Sequence, residues 1–128
     1  MPRHPDPPRP TDAELEILAV LWSRGPSTVR DVHDTIAKHK PAQYTTVLKL
    51  LQIMTGKGLV HRDEKERAHV YQASRPREWT QRQLAGDLLQ RAFNGSAKSL
   101  VLGALSARKT SKQELAEIRE LLDQYDAG

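Results

Sequence analysis

Gln43-Tyr44-Thr45-Thr46-Val47-Leu48-Lys49-Leu50-Leu51 decides the reading of this chain. Wound as a helix, it has two unlike faces. Val47, Leu50, Leu51 and Met54 recur at i, i+3, i+4 and i+7, which makes a core stripe. Thr45, Lys49 and Gln52 fall on the opposite side. They offer donors and acceptors, and none is negative. Polar side chains of this kind near a helix start suit the DNA major groove. An ordinary solvated helix face has the same periodicity, so the neighbouring sequence has to decide between the two.

Lys57-Gly58-Leu59-Val60 follows, with Gly58 placed to end the helix in the left-handed conformation. Leu59 to Arg62 and Ala68 to Ala73 then read as two short strands with partial alternation. Asp63-Glu64-Lys65-Glu66-Arg67 between them is wholly charged, which an interior connector cannot be, so it is an exposed hairpin tip. A helix followed by such a hairpin is the plan of a winged helix. The helix reads the groove and the wing lies along the backbone.

Two helices come before it. Thr11-Asp12-Ala13-Glu14 is a capping box, and Leu15, Leu18, Ala19 and Trp22 continue at helical spacing until Gly25-Pro26. Thr28 caps the second helix, with Asp31 in its first turn and Val29, Val32 and Ile36 as its apolar face, ending near Lys38. Residues 27–29 also suit a brief third strand beside the wing.

The ordered segments Thr-Asp-Ala-Glu-Leu-Glu-Ile-Leu…Leu-Trp (11–22), Gly-Pro-Ser-Thr-Val-Arg-Asp-Val (25–32), Tyr-Thr-Thr-Val-Leu-Lys-Leu-Leu (44–51), Lys-Gly-Leu-Val (57–60) and Arg-Ala-His-Val-Tyr (67–71) resemble the penicillinase-repressor family, the transcriptional repressors of BlaI, MecI and CopY type. The resemblance runs over about 11–126. It implies a dimeric winged-helix repressor on a palindromic operator, with a link to antibiotic or stress response.

The charge distribution agrees. The whole chain carries +4, whereas residues 38–75 hold eight basic and three acidic side chains, a net of +5. The excess sits on the third helix and the wing, where phosphates would lie. Thr45, Thr46 and Lys49 are the expected base-edge residues, with Gln43 and Tyr44 at the groove entrance. Thr46 is also suited to capping or packing, and Lys49 to a guanine or a phosphate. Arg62, Lys65 and Arg67 of the wing are expected on the backbone or in the minor groove.

Other classes find little support. There is no Gly-rich phosphate loop, no GxSxG and no clustering of acids with histidine, so an enzyme is not expected. The absence of cysteine removes disulfides and cysteine–metal sites, including those that the copper-responsive branch of the family implies. No metal and no cofactor are expected. His61 and His69, facing across the hairpin, are the one histidine pair to consider. A winged helix that binds protein, or an architectural module without sequence readout, stays open as the alternative; an acidic or apolar third helix would favour it.

No apolar run approaches the ~20 residues that span a bilayer. Residues 1–10, with five prolines and two arginines, lack the apolar core of a secretory signal and read as an extended disordered arm. A cytoplasmic, nucleoid-associated protein is expected. Residues 11–75 form the winged-helix domain on this reading, and 76–128 a helical dimerisation domain.

The latter region holds no strand signal. Trp79, Leu84, Leu88 and Phe93 mark a long helix, broken at Asn94-Gly95. Leu100, Val101, Ala104 and Leu105 mark a second. Ser111-Lys112-Gln113-Glu114 reads as a capping box opening a third, striped by Leu115, Ile118, Leu121, Leu122 and Tyr125. Three helices in about fifty residues bury too little alone, so a second copy is the expected partner surface. The chain departs from the family pattern in two places. Ile53-Met54 stands where many members carry Arg-Leu, which removes a phosphate contact and leaves an apolar spot at Ile53. Gly103-Ala104 stands where the resistance repressors carry the Asn-Phe bond cut by their sensor protease, so control by that protease is not supported.

Overall fold

A computed structural model describes residues 8–65 and 67–128. The first seven residues of the expected arm, and Glu66 of the hairpin tip, lie outside the described residues. The order is α1 (Asp12–Arg24), β1 (Ser27–Thr28), α2 (Val29–Ala37), α3 (Tyr44–Lys57), β2 (Val60–Asp63), β3 (Val70–Ala73), α4 (Arg77–Ala92), α5 (Ala97–Ala107) and α6 (Lys112–Ala127). Two compact units divide between Leu84 and Ala85, within α4.

In the first unit each helix is set by its caps. Thr11 Oγ1 accepts from Glu14 N–H at 3.2 Å, and Thr11 N–H donates to Glu14 Oε1 at 2.9 Å. Thr28 and Asp31 repeat the device on α2, at 3.1 Å both ways. The third helix stops at Gly58, whose φ of 80° lies in the left-handed region. The Leu59 N–H then reaches back to Met54 O at 2.9 Å.

The sheet order is β1-β3-β2, all antiparallel. Residues 27–28 do pair with the wing, as Ser27 opposite Tyr71 and Thr28 opposite Val70. The hairpin is shorter and shifted relative to the expected strands. Leu59 is held by the helix cap, leaving only its carbonyl to take Ser74 N–H at 3.0 Å, while Ala68 and His69 belong to the loop. The register also corrects the histidine pairing. His61 lies opposite Gln72, and His69 instead lies 3.7 Å from Glu64. The first wing strand ends one residue later and the second starts two residues later than expected, and together these shifts separate the two rings.

The core is built from Ile17, Leu18, Leu21, Val32, Ile36, Val47, Leu51, Met54, Val60 and Tyr71 with their neighbours. The third helix buries Val47, Leu51 and Met54 as its spacing predicts; Leu50 is only half-buried. On the first helix the buried face is rotated from the expected stripe. Ala19 is exposed and Leu15 and Trp22 are partly buried, whereas Glu14, Ile17, Leu18, Val20 and Leu21 face inward. The helix is apolar on most sides, so periodicity alone does not single out the buried face. Trp22 serves instead as a tie. Its Nε1–H donates to Arg75 O at 2.9 Å, and Arg77 donates to Ser23 Oγ at 3.1 Å, which joins the end of α1 to the start of α4.

In the second unit, Asn94 (φ 50°) and Gly95 (φ 79°) break the chain between α4 and α5. Ser96 caps α5 through Ser99 N–H at 3.1 Å. Gly103 lets α5 approach Phe93, whose Cε1 would stand 3.3 Å from a Cβ at that position. Ser111 Oγ accepts from Glu114 N–H at 3.0 Å, so the hydroxyl half of the expected capping box is made, without the reciprocal carboxylate contact. Neither α5 nor α6 has a buried residue. Among the described residues no helix is long and apolar enough to cross a membrane.

Candidate nucleic-acid interface

The third helix presents its polar face because its other face is locked into the core. Val47, Leu51 and Met54 fix the rotation, and Thr45, Thr46, Lys49 and Gln52 are thereby turned to solvent. Gln43 is the N-cap, yet its side chain makes no capping bond, and the first turn carries no acid. The helix start thus keeps unsatisfied N–H groups and a free amide side chain, both suited to an anion. Tyr44 is exposed, with its ring edge-on to His33 (centroids 5.8 Å apart) and the Arg30 guanidinium 5.9 Å away over its face. His33 is held in turn through Nε2, 2.9 Å from Ala42 O. This small stack props the tyrosine at the start of the helix. Ile53 is 41% exposed on the same helix, the apolar spot expected there.

On the wing, Arg62, Lys65 and Arg67 are all exposed. They differ in how free their charges are. Arg62 is paired with Glu64 at 2.9 Å, whereas among the described residues Lys65 is tied only through its backbone N–H, which donates to Asp63 Oδ1 at 2.9 Å. Not every cation of the basic segment faces a ligand. Lys57 donates to the buried Glu14 at 2.8 Å, and Lys40 is paired with Glu16 at 3.1 Å.

Sequence reasoning misses two residues. Arg30 stands out only as part of a motif, although it is the second residue after the Thr28 cap and one turn before His33, and the fold sets it over Tyr44. Glu14 announces a capping role alone. Its 43-residue separation from Lys57 leaves no local signal of the ion pair. Burial by itself would raise the Glu14 carboxyl, but the Lys57 ammonium and the Thr11 N–H and hydroxyl outweigh it and hold the group below the usual carboxylate range.

A three-helix head, a three-stranded wing and a non-acidic exposed helix define a winged-helix protein of the nucleic-acid-binding kind. The sequence matches the penicillinase-repressor family model over residues 10–124, and the chain belongs to that family, which comprises transcriptional repressors and not enzymes. It is 31% identical over 118 residues to the transcriptional regulator BlaI of Mycobacterium tuberculosis, covering 91% of this chain and 85% of that protein. It is 25% identical over 118 residues to the penicillinase repressor of Bacillus licheniformis, with 92% of each covered. The fold is also that of the solution structure of the monomeric form of Bacillus licheniformis BlaI in complex with the blaP half-operator, at a TM-score of 0.50 and 23% identity, over 57% of this chain and 89% of that one.

Proposed function

We propose that this chain is a sequence-specific DNA-binding transcriptional repressor that occupies a palindromic operator as a homodimer and blocks transcription by occlusion. The observation that carries the reading is the third helix: one face buried in the core, the other offering Thr45, Lys49 and Gln52 with no acid, beside a basic wing. Thr45, Thr46 and Lys49 are assigned to base edges, Gln43 and Tyr44 to the groove entrance, and Arg62, Lys65 and Arg67 to the backbone.

The dimer reading rests on the second unit. Leu88, Val101, Leu105 and Leu122 are exposed there, Leu122 at 58%. Leu100, Leu115 and Ile118, and Leu84 at the end of the first unit, are only half-buried. Stripes of this size left to water call for a partner, and a second copy supplies the two-fold axis that a palindrome needs. No protease site is assigned to Gly103-Ala104, where Gly103 is packed on the Phe93 ring. A cytoplasmic place follows from the DNA target.

Selection of bound sequences from a random duplex library, followed by footprinting, tests the reading. Enrichment of a two-fold symmetric site supports it. Binding that ignores sequence removes base readout from the third helix and leaves an architectural module.

A further inference from the structure

A cleft of about 380 Å³ lies between the start of α2, the start of α3 and the loop leading into β3. Its walls include Thr28, Arg30, Tyr44, Leu48, Arg67 and His69. Arg30, Arg67 and His69 thus border one small concavity, and among the described residues no acid lines it. Among the described residues, the two nearest acids have other partners, although Glu64 also lies 3.7 Å from His69 at the rim. Asp31 turns back to the Thr28 N–H at 3.1 Å and to Arg24 at 3.5 Å, and Glu64 is taken by Arg62. Among the described residues no carboxylate pairs with Arg30 or Arg67. Like charges converging without a counter-ion repel one another, and an anion between them relieves this.

We propose that this cleft seats one backbone phosphate of the bound duplex, gripped from the second helix by Arg30 and from the wing by Arg67. The inference rests on the DNA-binding reading and adds a residue and a geometry to it. A guanidinium fits a phosphate through paired N–H donors, and two of them on different elements fix the phosphate in three dimensions. Tyr44 stands in the same cleft under Arg30, so the seat adjoins the start of the reading helix. A phosphate held there sets the angle at which Thr45 and Lys49 meet the bases. The Asp31 N–H and the Thr28 N–H take no part in the grip, because the Thr28 hydroxyl and the Asp31 carboxylate already hold them.

The test measures duplex affinity against salt for the full chain and for Arg30→Ala, Arg67→Ala, the double variant, Arg30→Lys and the exposed control Arg82→Ala. The probes are the duplex recovered by selection and a scrambled duplex. Arg30→Ala is expected to lose roughly three- to tenfold on both, with the salt slope smaller by about one. Arg30→Lys is expected to keep the slope while losing part of the affinity. The double variant is expected to lose less than the product of the single losses, because the two side chains share one phosphate. Methylphosphonate substitution at single positions is expected to reveal one phosphate that matters most to the wild type, less to either single variant and not to the double variant. If Arg30→Ala matches Arg82→Ala while Lys49→Ala still loses sequence discrimination, the seat is wrong and the DNA reading stands. If the wild type shows no salt-dependent duplex affinity, the DNA reading fails and the seat with it.

Discussion

Lys57 Nζ lies 2.8 Å from Glu14 Oε2, so the last turn of the third helix is ion-paired to the first turn of the first helix. The carboxylate is 2% exposed and the ammonium 31%. This pair, with the apolar stripe, fixes where the third helix ends. Lys57→Ala leaves a buried carboxylate without its cation and is expected to cost about 2–4 kcal/mol in urea unfolding, the figure lowered for the solvent that reaches Lys57. Replacing both partners, Glu14→Leu with Lys57→Met, is expected to cost far less than either single change. A double loss equal to the sum of the two single losses would show that the pair is not coupled.

Glu14 also sets an acid limit on stability. Its carboxyl ionises more readily in the fold than at the ordinary value of 4.5, so the native state binds this proton less tightly than the unfolded chain does. Stability from the pair is therefore complete above about pH 4.5 and drains away as the pH falls through the lower folded value. Asp31, held down first by the Thr28 N–H and then by the Thr28 hydroxyl, shifts the same way. Denaturant midpoints for the wild type and Glu14→Gln are expected to differ at neutral pH and to converge in acid. A constant gap across that range would contradict the assignment.

Lys49→Ala is expected to lose roughly 1–3 kcal/mol on the selected duplex and to relax sequence preference. Arg67→Ala is expected to weaken selected and scrambled duplexes alike. Competition binding on both duplexes separates the roles, and an equal loss for Lys49→Ala would take it out of the base-reading set.

Leu122→Glu, alone or with Val101→Glu, is expected to convert a dimer to a monomer in sedimentation, because both positions are exposed within their own unit. The melting of the winged-helix unit is expected to stay unchanged. A wild type that sediments as a monomer at micromolar concentration would end the dimer reading outright.

The winged helix is legible in the sequence wherever a residue's role is local. Thr11, Thr28 and Gly58 announce their helix boundaries by chemistry that acts within four residues, and the third helix shows its two faces in a single window. Roles that depend on distant partners are not legible. The Glu14–Lys57 pair, the Trp22 bond to Arg75 and the cleft that Arg30 and Arg67 both line all join segments far apart in sequence. The hairpin falls in between: the charged tip locates it, but a register three residues off the expected one moves His69 from His61 to Glu64. On the first helix, an apolar surface broad enough to suit several rotations hides which one the core selects.

Thr28 holds two posts at once: its backbone pairs with Val70 as the edge of the sheet, and its hydroxyl caps the second helix. No spacer separates the strand from the helix. Amide protons on β3 and in the first turn of α2 should therefore exchange with deuterium as one cooperative block, because the wing cannot peel from the sheet without releasing the cap.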